Sequence, residues 1–195
     1  MIVVDVETTG TEAAKHSLVS IGAIDFSNPE RQFHGMCKIW DEAHVMAEAL
    51  AVNGFTEEEI RDPSKKSDAE LVEEFLKWAL ESEEHTVAGQ NPSFDLDFII
   101  WTCKRNNLHF PLPRRSVDIH TVCYTHMVKR GVKPPVNNKR SDLNSTVISE
   151  YVGIPPEPKP HIALNGAIWE IEALSGLLHY KPLLPQFKQY KIPWL

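Results

Sequence analysis

The sequence predicts an α/β fold: one mixed β-sheet, made of an antiparallel meander plus parallel strands, flanked by helices. Three observations predict it. Strand-like runs follow one another at the N-terminus with only short turns between them. From about residue 42 onward, segments with helical periodicity alternate with short apolar runs, the pattern of helices returning to a shared sheet. The chain has 195 residues, 42% hydrophobic and 24% charged, enough for one domain with a sizeable core.

The first run, Ile2-Val3-Val4-Asp5-Val6-Glu7-Thr8-Thr9-Gly10, begins as a buried strand. Asp5 and Glu7 are two positions apart, so in a strand they point to one face. Two unpaired anions on a poorly hydrated strand are costly and ask for compensating cations. Carboxylate oxygens suit Mg²⁺ or Mn²⁺ better than softer metals. Thr8, Thr9 and Gly10 break the strand and offer hydroxyls and backbone N–H groups to a polar ligand.

Leu18 to Phe26 reads as the second strand, and Gln32 to Trp40, after the Asn28-Pro29-Glu30 turn, as the third. Glu42 to Val52 turns helical. Thr56 with Glu59, and Ser67 with Glu70, are capping-box pairs, the second opening a helix that buries Leu71, Phe75, Trp78 and Ala79. Thr86 to Gly89 is a short strand leading to a helix from about Ser93. Ser116 to Ile119 is another strand, and Asp118 reads as the N-cap of the helix beyond it. Residues 129–140 read as a basic loop, whose Lys129, Arg130, Lys133, Lys139 and Arg140 could meet a phosphate backbone. Ser141 is expected to cap a helix ending at Gly153. An extended Pro155–Pro160 segment leads to a last long helix from about Ala163 to Leu178. The domain is expected over 1–180, with 181–195 an extended tail that packs along the surface or meets a protein partner through the region of Trp194.

A net charge of −7 argues against broad, non-specific nucleic-acid binding, though an acidic metal pocket accounts for part of it. No apolar run reaches the length of a membrane span and no signal peptide is visible. Cys37, Cys103 and Cys123 are odd in number and widely spaced, which fits reduced thiols in a cytoplasmic protein. His109, His120, His126 and His179 lack metal-ligand spacing and read as surface or packing residues.

Three separated motifs resemble those of the DEDDh 3′–5′ exonucleases, a branch of the ribonuclease H-like fold. They are Asp5-Val6-Glu7-Thr8-Thr9-Gly10, Asn91-Pro92-Ser93-Phe94-Asp95 and Pro160-His161-Ile162-Ala163-Leu164, in the family's order and over about residues 1–178. The resemblance implies two divalent ions, Mg²⁺ or Mn²⁺. Asp5 would bridge them, Glu7 would serve the ion of the attacking water, and Asp95 the ion near the leaving group. His161 would act as general base, a role suited to a side chain whose ordinary pKa is about 6.5. Thr8, Thr9, Gly10 and Asn91 would meet the terminal nucleotide. The implied substrate is a single-stranded DNA or RNA 3′ end, and the product a nucleoside 5′-monophosphate.

The third motif departs from the family. Its last aspartate falls five residues after the histidine, and here that residue is Gly166. Asn165 is neutral and lies roughly 100° round the helix. Glu170, one turn further on, leans back toward position 166 and is the expected replacement, as metal ligand and catalytic residue. Glu172 is worse placed. The alternative is a catalytically impaired module that binds nucleic-acid ends or partner proteins.

Overall fold

A computed structural model describes all 195 residues. Five strands form one sheet in the order β3-β2-β1-β4-β5. They are β1 (Ile2–Thr8), β2 (Leu18–Asp25), β3 (Gln32–Met36), β4 (Val87–Gly89) and β5 (Ser116–Asp118). The first three form the expected antiparallel meander, and β4 and β5 extend it in parallel with β1.

The alternation along β1 sorts its side chains between two layers. Ile2, Val4 and Val6 face α3 (Asp68–Leu80) and α4 (Pro92–Arg105), packing with Leu71, Phe75, Phe98 and Ile99. Val3 faces the other way, toward α5 (Ile119–Lys129), α6 (Ser145–Val152) and α7 (Ala163–His179). Asp5 and Glu7 share the Val3 face, so both acids point toward α7. Burial of the apolar side chains on the two faces stabilises the sheet by about 1.5–3 kcal/mol for each large residue.

The helix ends follow the sequence closely. Thr56 caps α2 (Glu57–Ile60) and Ser67 caps α3, each with a complete capping box. Asp118 accepts the His120 N–H at the start of α5, and Gly153 ends α6 with φ at 84°. Three segments differ. Strand β3 ends at Met36 rather than running to Trp40. Helix α1 spans only Ala47–Asn53, because residues 41–46 are spent on turns and on a bridge between His16 and His44. The basic loop contains a small hairpin, β6 (Val136–Asn137) with β7 (Arg140–Ser141). Its Asn138 and Lys139 both have positive φ, as a two-residue primed turn requires. Ser141 therefore belongs to a strand, and Asn144 caps α6, accepting the Val147 N–H at 3.0 Å.

The last residues lie against the α7 layer. Leu184 and Phe187 are buried in its core. The backbone N–H groups of Leu183 and Leu184 donate to the buried Glu172 carboxylate. Trp194 stacks among His126, Tyr151 and the Arg130 guanidinium. Leu184, Phe187 and Trp194 are thus occupied within the chain, while Tyr190 and Leu195 stay exposed.

Candidate active site

Helix α7 comes close to the sheet because its first turns carry small residues on the inner face: Ala163, Gly166 and Ala167 are buried against β1 and β2. Gly22, paired with Asp5 across the β1–β2 ladder, completes the contact; a Cβ there would overlap the backbone of Ala163. This approach sets the start of α7, and the His161 just before it, over the acidic face of β1.

Strand β4 pairs with β1 only at Ile2 and Val3, so β1 beyond that point has a free edge. Asp95, in the first turn of α4, fills it: Oδ1 accepts the Val6 N–H at 3.0 Å. The turn into α4 requires Asn91 in a left-handed conformation, φ 57°, with Pro92 at the first helical position. Asp95 thus enters the acidic cluster round the strand edge although it comes from the opposite helical layer.

The groups meet at a cavity of about 180 Å³ lined by Asp5, Glu7, Gln90, Glu157, His161, Gly166 and Glu170, together with Trp169, Ile148, Ser145 and Ser149. Asp95 stands behind this lining. Burial raises the carboxyl pKa values throughout. Glu7 is pushed up to about 8 by burial and then by Glu157 and Asp95, and Asp95 to about 7 by burial. Asp5 and Glu170 are held well above the usual range, first by burial, with Glu170 the leading charge acting on Asp5 and Asp95 on Glu170. No Lys or Arg pairs with Asp5, Glu7, Asp95 or Glu170. Glu170 Oε2 and Glu157 Oε1 are buried without a hydrogen-bond partner.

An all-oxygen donor set with surplus negative charge and orphaned oxygens fits hard divalent cations. The set is open: no three His, Cys, Asp or Glu side chains stand close enough to cage one ion. A cation would have to draw them in.

Two expectations change in detail. The space beside Gly166 is taken by Asp5, since a Cβ at 166 would overlap Asp5 Oδ2 and lie 2.7 Å from its Cγ. Glu170 instead reaches toward β4, where its Oε2 lies 3.2 Å from the point a Gly89 Cβ would occupy. Thr9 is fully buried, its hydroxyl donating to His44 O and accepting from Ser17 N. The Thr8 hydroxyl donates to Gly10 O, and Gly10 packs under the His16 ring. Asn91 is exposed beside the site, with Ser93 donating to its side chain.

Glu157 escapes a reading of the sequence. It sits in a proline-rich, non-helical segment, where no periodicity says which way it faces. The available signal is an acid four residues before the site histidine. Its Oε2 lies 3.6 Å from His161 Nδ1.

A paired acidic strand, a helix-borne aspartate at the strand edge and a histidine over both define a nuclease-type hydrolytic pocket on a ribonuclease H-like sheet. The chain belongs to the exonuclease family (RNase_T), whose family model matches residues 2–164. Among relatives, it is 36% identical over 104 residues to the 3′–5′ DNA exonuclease Cap18 of Escherichia coli, a stretch covering 49% of this chain and 52% of that protein. Similar solved structures include the cell-death related nuclease 4, CRN-4 (TM-score 0.72, 17% identity, 98% of this chain and 65% of the other). E. coli exonuclease I in complex with a dT13 oligonucleotide gives a TM-score of 0.70 at 18% identity, over 90% of this chain and 40% of that one. The nuclease domain of 3′hExo, a DEDDh member bound to rAMP, gives 0.67 at 15% identity, over 89% and 90%. The chain spans about half the length of the curated relative, and at these identities the structural likeness speaks for the fold.

Proposed function

We propose that the protein is a Mg²⁺- or Mn²⁺-dependent 3′–5′ exonuclease that removes nucleoside 5′-monophosphates from single-stranded DNA or RNA ends. The observation that carries this reading is the convergence of Asp5, Glu7 and His161 on one cavity wall, with Asp95 bonded to the strand edge behind it and no Lys or Arg paired with the three acids. Asp5 and Glu7 would hold the ions from the strand, with Asp95 supporting from the edge and Glu170 from α7. Two divalent ions, when bound, supply positive charge to the attacking and leaving oxygens of an in-line displacement. His161 accepts the proton of the attacking water. Its Nδ1 faces Glu157, which leaves Nε2 for that proton. Water adds to the phosphorus of the terminal phosphodiester, the bond to the preceding 3′ oxygen breaks, that oxygen takes a proton from solvent to become the new 3′-hydroxyl, and a 5′-monophosphate leaves. A single-stranded end is the proposed substrate, because stacking of unpaired bases on side chains compensates the base stacking lost when a 3′ terminus enters the pocket. The three buried free thiols suit a cytoplasmic, reducing location.

The test uses 5′-labelled single-stranded DNA and RNA oligonucleotides with Mn²⁺, Mg²⁺ or EDTA, and chromatography of the products. Stepwise shortening with mononucleotide release, abolished by EDTA and by Asp5→Asn, is expected. A second reading, an impaired end-binding module, draws on the missing carboxylate at Gly166. Tight oligonucleotide binding in Mn²⁺ with no cleavage would favour it.

A further inference from the structure

We propose that Glu157 supplies the anionic ligand missing at position 166, holding with Glu7 a divalent cation on the His161 side of the cavity. The inference rests on the metal-dependent reading above.

The two orphaned carboxylates line one cavity from different elements, Glu170 from α7 and Glu157 from the segment before it. Glu170 lies toward Gly89 and Gln90, and its strongest charged neighbour is Asp95. Glu157 lies beside His161 and is the charge that bears most on Glu7. Glu7, Glu157 and His161 line the same cavity, which places the Glu157 carboxylate to share a cation with Glu7, while Glu170 serves the β4 side.

The Glu157 side chain is 11% exposed. The Ile162 N–H points at its carboxylate, and Oε2 faces His161. Oε1 is buried with no partner. A buried, unpartnered carboxylate oxygen is costly, and no Lys or Arg pairs with it. Orienting His161 does not account for it, because 3.6 Å exceeds a hydrogen bond and the free oxygen is the other one.

The segment carrying Glu157 is held in place. Pro155, Pro156, Pro158 and Pro160 restrict its backbone. Trp169 Nε1 donates to Pro155 O at 2.7 Å, and the His161 N–H to Val52 O at 3.2 Å. A carboxylate on a stiff strap replaces one on the helix, and Gly166 leaves room for Asp5 to lean against α7.

The experiment titrates Mn²⁺ into the full chain and follows free Mn²⁺ by electron paramagnetic resonance, with circular dichroism melting as the check on folding. Wild type is expected to bind two ions. Glu157→Gln is expected to weaken one of them by about 10-fold or more, the scale on which groups around a metal act. Its kcat should fall while KM for an oligonucleotide stays within about 2-fold, since Glu157 adds no substrate contact. If Glu157→Gln does not fold, Glu157→Asp takes its place, and the shortened carboxylate is expected to weaken the same ion. Two ions bound by wild type, lost in Asp5→Asn but held with full affinity by the Glu157 variant, would overturn this inference and leave the exonuclease reading standing. No Mn²⁺ bound by wild type would overturn both.

Discussion

Asp5 and Glu7 are placed where a metal-free protein would do better without their charge. Burial and the neighbouring Glu157 and Asp95 carboxylates hold Glu7 up to about 8, burial holds Asp95 up to about 7, and Asp5 and Glu170 are also raised. The native state therefore binds more protons than the unfolded chain between the ordinary carboxyl pKa, near 4, and about 8. The stability this gives is fully present below the ordinary value and is lost as pH rises through 7 and 8. Without metal, the melting temperature should fall from pH 6 to pH 8.5. With saturating Mn²⁺ the fall should flatten or reverse, because binding requires the deprotonated carboxylates. Calorimetry in EDTA and in Mn²⁺ measures both, and a flat profile in EDTA would count against a buried acidic cluster. Glu7→Gln should reduce the slope. Asp5→Asn should move stability and activity apart, raising the metal-free melting temperature while cleavage falls by about 100-fold or more, the trade-off expected at a site strained for function.

At the scale of the element, the site depends on how closely α7 lies on β1 and β2. Gly22→Ala tests this directly, since the new methyl meets the Ala163 backbone rather than a side chain that can turn aside. A cost of about 1–3 kcal/mol is expected from overpacking, read by urea denaturation. A loss of cleavage should accompany it under conditions where the variant is fully folded, because α7 begins two residues after His161. Retained activity would mean that His161 is positioned independently of the helix. The strand face of Asp5 and Glu7, the capping boxes and the order of the three motifs were legible because each rests on local periodicity or spacing. Glu157 was not, because an extended proline segment has no face that a sequence reveals. The choice of Asp5 rather than Glu170 to fill the space at Gly166 was equally hidden, being a rotamer decision made between two elements. The β6–β7 hairpin shows a third limit: its Asn138-Lys139 turn lacks the glycine that usually announces a primed turn.

Across the whole molecule, the C-terminal residues bear on the catalytic strap through a chain of contacts. Phe187 packs edge-on against Trp169 at 5.1 Å. Trp169 lines the cavity and holds Pro155 O through its indole N–H. Pro155 begins the strap that carries Glu157 and His161. The tail is fixed in turn by the Glu172 carboxylate, which accepts the Leu183 and Leu184 N–H groups, and by close packing of Lys191 and Pro193 over Gly153. Phe187→Ala removes a fully buried ring from the α7 core, at an expected cost of about 3–5 kcal/mol. Its effect should also exceed global stability: well below the melting temperature kcat should fall several-fold, because Trp169 loses the ring that seats it. Trp169→Phe separates the two effects. It keeps one aromatic ring, loses the bond to Pro155 O and part of the indole's volume, and should cost about 1–3 kcal/mol through the carbonyl left without a partner while lowering kcat by a similar factor. If Phe187→Ala melts earlier but cleaves at the wild-type rate when folded, the tail stabilises the domain without tuning the site, and the strap is held from the Val52 side alone.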